Sequence, residues 1–437
     1  MSIAKTLTLA ALSLSVATGA LADDIAITGG KVITMGEKGV IENATVLIKD
    51  GKITKVGEGL KIPKGYEVID AKGKWVTPGF MGVGTGIGLG EGPSGAGADG
   101  RDQKAKKALE LDVTWGINPE YSVFAVSRIE GITRVATTVK FTNSLFSGQG
   151  AVIGLDDDGT VHRSKAYFNI NLNGRGASVA GSRSSMWNTV LDAMREADDH
   201  IKDEAKKAEE ALKPKKSKKG DDKDDKKDAK KEKPNEARDA MVRMLKGEET
   251  LVVKASKKSD LLQVIRLKEK YPSIKMVIYG GFEAWRVADK LAAADIDVML
   301  DTQANLPSFE SLGATQQNIV RLEKAGVGTA IIPSDSDANV RLIIQSAGNA
   351  VANGMSWQGA MASLTTTPAQ MFGIADSYGK IEKGMDADVV VWDGDPLEVM
   401  SSPTAVVIGG VNTALVSRQT KLRDRYLNPA RSPAYVK

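Results

Sequence analysis

The chain of 437 residues contains no cysteine. A disulfide framework, a thiolate zinc site and the lipid-bearing cysteine of a lipoprotein anchor are therefore all excluded. Histidine is nearly as scarce, with only His162 and His200. A catalytic zinc usually takes two or three imidazoles, or two with a carboxylate, so this supply narrows the metal chemistry open to the chain. Charge of one sign is also missing. Lys and Arg number 59 against 55 Asp and Glu, a net of +4, which argues for neither nucleic acid nor a membrane surface as partner. No apolar run is long enough to cross a bilayer.

What is present points to a folded protein. The apolar content of 42% supports a large core, arranged as two domains or one elaborated barrel. The N-terminus reads as a secretory signal over residues 1–22. Lys5 supplies the positive start, Thr6 to Gly19 the short apolar run, and Ala20-Leu21-Ala22 the small-x-small cleavage site. The expectation is export to a periplasm, with cleavage after Ala22 and no membrane anchor.

Along the chain, residues Ile25 to Val76 read as strands and turns. Val46-Leu47-Ile48 and Ile53 to Val56 flank Asp50-Gly51, a tight-hairpin signal. Gly82 to Gly100 is dense in glycine, yet the third glycine of a dinucleotide loop is absent from every frame, and no Gly-Lys-Ser/Thr follows. It reads as a strand end running into a mobile loop. Ile132 to Val139 and Ala151 to Leu155 read as strands separated by Ser147-Gly148-Gln149-Gly150. Ser185 to Ala197 reads as a helix with Trp187, Val190, Leu191 and Met194 on one face.

Residues 202–238 break the pattern. They are nearly all Lys, Asp, Glu and Ala, with Pro214 and Pro234 inside. Such a stretch buries little apolar area, so a disordered charged insertion is expected. Beyond it, short apolar strands alternate with amphipathic helices from Leu251 to Val351. Counting back to Phe80, about eight βα units fit, the number that closes a barrel. The last section, from Ile381, returns to β character.

Three separated motifs carry a family resemblance. Trp75 to Leu89 reads W-V-T-P-G-F-M-G-V-G-T-G-I-G-L, Thr366-Thr367-Pro368-Ala369 stands before Gly373-Ile374, and Gly379 to Val390 reads G-K-I-E-K-G-M-D-A-D-V-V. Together with the D-G-K-I-x-x-V-G of residues 50–57, these resemble the amidohydrolase superfamily, nearest its exported, imidazolonepropionase-like branch. The resemblance implies an α/β fold: a TIM-like (β/α)8 barrel over residues 78–375, plus a β-sandwich built from 23–77 and 376–437. It also implies hydrolysis of non-peptide C–N bonds, assisted by zinc or another divalent metal at the C-terminal face of the barrel.

The same alignment erases the metal ligands. The family's first-strand pattern carries D-x-H-x-H, and here Gly82, Gly84 and Gly86 occupy those places. Lys254 stands where relatives carry a His, and the next His position falls at Gly280 and Gly281. The last-strand Asp maps to Asp335, which also suits a helix N-cap. No cofactor is expected. The candidate pocket is Lys254, Asp301 and Ser334 at strand ends, with Asp335 as the catalytic group if any chemistry remains. His162 and His200 lack ligand spacing, and Asp156 to Asp158 reads as a solvated turn.

Three readings stay open. The first is a degenerate hydrolase that binds a small-molecule ligand or a partner, for instance a second copy or an active paralogue. The second is an active amide hydrolase with a non-standard site around Asp335 and Lys254. The third is an exported scaffold.

Overall fold

The computed structural model describes residues 24–91, 99–213, 235–306, 308–334 and 336–427. The expected signal segment, residues 1–22, lies outside them, as does Asp335. No helix among the described residues is long and apolar enough to cross a membrane.

The chain opens with five strands, β1 (Ile25–Ile33), β2 (Val40–Lys49), β3 (Lys52–Glu58), β4 (Glu67–Asp70) and β5 (Trp75–Pro78), then enters the barrel with β6 (Phe80–Thr85). A small pair, β7 (Arg101–Asp102) and β9 (Phe141–Thr142), brackets α1 (Ser122–Arg128) and β8 (Ile132–Thr137). Next come β10 (Phe146–Gly154), β11 (Val161–Asn171), α2 (Gly174–Ala180), α3 (Arg183–Leu212) and α4 (Glu236–Leu245). Strand and helix then alternate through β12 (Thr250–Ala255), α5 (Lys258–Lys270), β13 (Met276–Gly280), α6 (Ala288–Ala293), β14 (Ile296–Leu300), α7 (Asn318–Lys324), β15 (Thr329–Ile331) and α8 (Ile343–Ala352). Helices α9 (Trp357–Ala362) and α10 (Thr366–Met371) lead to β16 (Val389–Trp392), β17 (Pro403–Ile408), β18 (Val411–Thr413) and α11 (Arg418–Leu427).

The two ends of the chain build one sheet, in the order β18-β17-β16-β5-β1-β2-β3, with β4 beside β1. The Asp50-Gly51 hairpin joins β2 and β3 as the sequence predicts. Asp50 has φ +50° and Gly51 φ +72°, the doubly left-handed pair that matches the twist of the flanking strands. This sheet encloses its own core, which includes Ile25, Ile27, Val46, Ile53, Val389 and Val407.

The barrel is a second eight-stranded sheet, β15-β14-β13-β12-β11-β10-β8-β6, with β15 and β6 lying together to near closure. Its inside is packed rather than hollow, filled by Met81, Val83, Val252, Val277, Met299 and Ala330 among others. The fold is TIM-like, but it is not eight repeated βα units. Strand β10 is antiparallel to both β8 and β11. No helix lies between β8 and β11, because the turn at Asp156 to Gly159 is too short to carry a crossover and a short turn can join only antiparallel neighbours. Asp156 fixes that turn by accepting from the backbone N–H groups of Asp158 (3.0 Å) and Thr160 (3.1 Å).

Two further expectations are corrected. Ser147 to Gly150 is not a separator but the buried start of β10. A Cβ on Gly150 would meet the Tyr167 ring at 2.5 Å, so glycine here serves close strand packing. The two ends of the 202–238 stretch, expected to be disordered, are helical. Helix α3 continues to Leu212 and α4 begins at Glu236. Ala, Lys and Glu are strong helix formers, and pairs such as Lys202–Asp198 (2.7 Å) and Lys207–Glu204 (3.0 Å) add support one turn apart. Helix formation there needs little burial. Residues 214–234 lie outside the described residues.

Candidate functional site

The C-terminal ends of the barrel strands gather the residues singled out in the sequence. Lys254 is the penultimate residue of β12, Asp301 follows β14, and Ser334 follows β15. Gly84 lies within β6, and Gly86 lies just beyond it.

The centre of this mouth is organised by a residue that the sequence reading passed over. Tyr279 pairs with Lys254 across β12 and β13, and both face the interior because β positions alternate. Gly84 has φ +67°, and a Cβ built on it would lie 2.7 Å from Tyr279 Cε2 and 3.1 Å from Ile332 Cγ2. The volume that a side chain at position 84 would need is therefore occupied by the tyrosine ring. The available signal was Tyr279 immediately before Gly280-Gly281, in the phase that points inward.

Lys254 reaches from β12 into this space. Its Nζ donates to the Lys140 carbonyl at 3.1 Å and sits 5.5 Å from the Tyr279 ring centroid. Burial pushes its pKa down to about 8, and the nearby cations Lys140 and Arg175 push the same way. Lys254, Lys140 and Arg175 thus make this side of the mouth positive. Asp301 turns back on its own loop, where Oδ1 accepts from the Gln303 backbone at 2.9 Å. Among the described residues the buried Ser334 hydroxyl has no hydrogen-bond partner, and the Ser334 carbonyl accepts from Asn339 Nδ2 at 2.8 Å. Lys254, Tyr279 and the Gly84 backbone meet through the tyrosine ring; Asp301 is held in its own turn.

The donor set does not fit a catalytic metal. Positions 84 and 86 offer no side-chain donor, Lys254 is an ammonium or an amine held on a carbonyl, and Gly280 and Gly281 are bare. Among the described residues, no three His, Asp or Glu side chains converge closely enough to grip an ion. His162 starts β11, at the end opposite the mouth, and burial and Arg134 lower its pKa. His200 lies on α3.

The residues of the C-terminal motif lie at the joint between the two sheets. Asp388 precedes β16 and binds Arg134 of β8, with Nε to Oδ2 at 2.9 Å. Asp386 takes the second arm of the same guanidinium at 2.7 Å and also binds Lys52. Tyr378 stacks against Arg134, donates to the Gly79 carbonyl at 2.7 Å and lies 2.9 Å from Thr133 Oγ1. This cluster fastens the terminal sheet to the barrel.

Comparison with known proteins agrees with the architecture. A family model described as the amidohydrolase family matches residues 223–419. Over 83 residues the chain is 41% identical to amidohydrolase tasK of Hapsidospora irregularis, covering 19% of this chain and 8% of that protein. Over 61 residues it is 43% identical to the dihydroorotase of Anaeromyxobacter dehalogenans, 14% of each chain. The matched stretches thus span far less than two thirds of these curated relatives. Among solved structures, an amidohydrolase from Thermotoga maritima superposes with TM-score 0.75 at 23% identity, covering 89% of this chain and 99% of that one. Molinate hydrolase superposes at 0.53 with 17% identity, over 95% and 98%. At these identities, the likeness is one of fold.

Proposed function

We propose that this chain is a member of the amidohydrolase superfamily, a reading supported by the family model over residues 223–419 and by the fold, and that its barrel mouth has turned from metal-assisted hydrolysis to metal-free ligand binding. The observation that carries this reading is the Tyr279 ring in the space of a side chain at Gly84. A lost ligand leaves a gap that one substitution could refill. A gap occupied by a tyrosine from a neighbouring strand belongs to a differently packed site. Molinate hydrolase, among the structures of similar fold, is a hydrolase by name, which supports C–N or related hydrolysis as the chemistry from which this site departs. The ligand expected now is a small molecule bearing a carbonyl or carboxylate, since Lys254 is the polar group aimed into the mouth and Lys140 and Arg175 raise the local potential.

The experiment is a hydrolysis screen of the purified mature chain on cyclic amides, including dihydroorotate, and on N-acyl amino acids. It is run with added zinc and with chelator. No turnover in either condition is the expected result, and turnover restored by zinc and abolished by chelation overturns the proposal.

A second reading has its own support. The Lys254 amine is substantially neutral near pH 8, so it is competent as a base or nucleophile. Metal-independent turnover that disappears in Lys254→Met would favour this reading. In either case, the first 22 residues support export. The matching test is N-terminal sequencing of protein recovered from the periplasm, with Asp23 the expected first residue. A paralogue or a second copy remains the proposed macromolecular partner.

A further inference from the structure

A second site lies on the flank of the barrel, beside α1. A cavity of about 490 Å³ opens between this helix and the C-terminal helix α11. That volume lies in the range of small-ligand sites. Helix α11 buries none of its own residues, so apolar packing does not explain why it lies across α1.

Cations reach the cavity from both sides. Arg418 and Lys421 are three apart on α11, and Arg425 follows one turn later, so helical periodicity puts them on one face. Among the described residues, none of the three forms an ion pair. From the barrel side comes Arg128, whose residue is only 9% exposed. One arm of Arg128 binds Asp157 at 2.6 Å, while its Nε is buried with no partner. The Arg128 side chain also lines the cavity, so an oxyanion there would meet a guanidinium that has Asp157 as its ion-pair partner on one arm. Two carboxylates also line the cavity. Glu91 is committed to the first turn of α1, accepting from the Ser122 N–H at 2.8 Å, and Glu120 is exposed. Counting Asp157, the ion-pair partner of Arg128, four cations stand against three anions, an excess of one positive charge. Tyr121, Phe124 and Leu422 supply an apolar wall.

We propose that this cavity binds a small organic polyanion, a phosphate ester or a di- or tricarboxylate. Its oxyanion would sit between Arg128 and the α11 cations, and its apolar part against Tyr121, Phe124 and Leu422. Guanidinium groups hold both anion types through paired N–H donors. The site is separate from the barrel mouth and does not depend on whether hydrolysis survives there.

Calorimetric titration of the full chain with AMP and with citrate, at low ionic strength, tests the proposal and distinguishes the two ligand sources. Binding of either is expected. It should weaken at least tenfold in Arg128→Gln and in the pair Arg418→Glu with Lys421→Glu. The paired variant lies on an exposed helix and should keep the parent melting midpoint, so it remains informative if Arg128→Gln folds poorly. Arg423→Glu is the control, since Arg423 pairs with Asp424 at 2.8 Å and does not line the cavity. Its affinity should match the parent. If neither probe binds, or if Arg423→Glu weakens binding as much as the paired variant, the proposal fails.

Discussion

Arg134 Nε lies 2.9 Å from Asp388 Oδ2, and the two side chains are 0% and 1% exposed. This ion pair joins the second strand of the barrel sheet to the residue that begins the C-terminal strands of the other sheet. A charge pair so dry is held by its remaining hydrogen bonds. Asp388 Oδ1 accepts from the Gly409 N–H at 2.9 Å, and Asp386 takes the other arm of the arginine. Removing one partner leaves the other charge buried alone. Asp388→Ala should therefore cost about 3–5 kcal/mol in urea unfolding. Replacing Arg134 with Met in the same chain should recover a large part of that loss. If the double variant is no more stable than the single, the pair is not the fastening.

Gly84 provides a second test of packing. Its φ of +67° and the Tyr279 ring 2.7 Å from a built Cβ both oppose a side chain. Gly84→Ala should destabilise the protein by about 1–3 kcal/mol, and Gly84→His by at least as much. Cutting Tyr279 back to Ala should soften the Gly84→Ala penalty, as read from paired unfolding curves. Equal penalties with and without the Tyr279 ring would show that backbone conformation alone matters.

Much of this architecture was legible in the residues. The Asp50-Gly51 hairpin and the strands at 251–253, 276–279 and 296–300 follow from periodicity and turn chemistry, while the joint contribution of both termini to one sheet follows from the family resemblance. The reversed strand β10 did not. Its residues, F-S-G-Q-G-A-V-I-G, carry no mark of direction, and only the length of the Asp156–Gly159 turn does. The helical ends of the charged insertion were hidden for another reason: a burial argument does not register helices stabilised by their own propensity and ion pairs. At the site, the lack of side-chain donors at positions 84 and 86 was plain from the glycines. What packs against Gly84 was not, because that space is taken by a residue almost two hundred positions away. Asp388 carried a family signature in the sequence, and only its contact with Arg134 reveals the mechanical role.

Lys254 should titrate far below an ordinary lysine. Burial disfavours its charged form, so the folded pKa is about 8 against the usual 10.5. The unfolded chain takes up this proton as pH falls through 10.5, and the folded chain only near 8. Stability therefore rises with pH across that window, and below it the folded protein carries the cost of a buried cation. Lys254→Met should stabilise the chain at pH 7 by up to about 3 kcal/mol and flatten its stability profile between pH 8 and 10.5. The rate of Lys254 acylation, followed by peptide mapping, should have its midpoint near pH 8. A midpoint near 10.5 would contradict the assigned burial.

Glu249 shows the opposite case. It is 1% exposed on the approach to β12, with Arg243 Nε 3.0 Å from Oε2 and with Oε1 buried and unpartnered. Burial outweighs the arginine and raises its pKa to about 7. An acid whose folded pKa is raised contributes stability that is complete below pH 4.5 and lost as pH climbs through 7. The loss amounts to about 3 kcal/mol. Glu249→Gln should remove that slope, which is read by comparing urea unfolding at pH 5 and pH 8. A parent protein equally stable at both pH values would rule out the shift.

The central claim is that the barrel mouth is no longer a metal cage. The direct measurement is zinc titration of the intact chain by calorimetry, with gel filtration to count retained metal. Weak, substoichiometric zinc that washes away, unchanged in Lys254→Met, is the predicted result. One zinc retained per chain, and released when Lys254 or Asp335 is replaced, would contradict it.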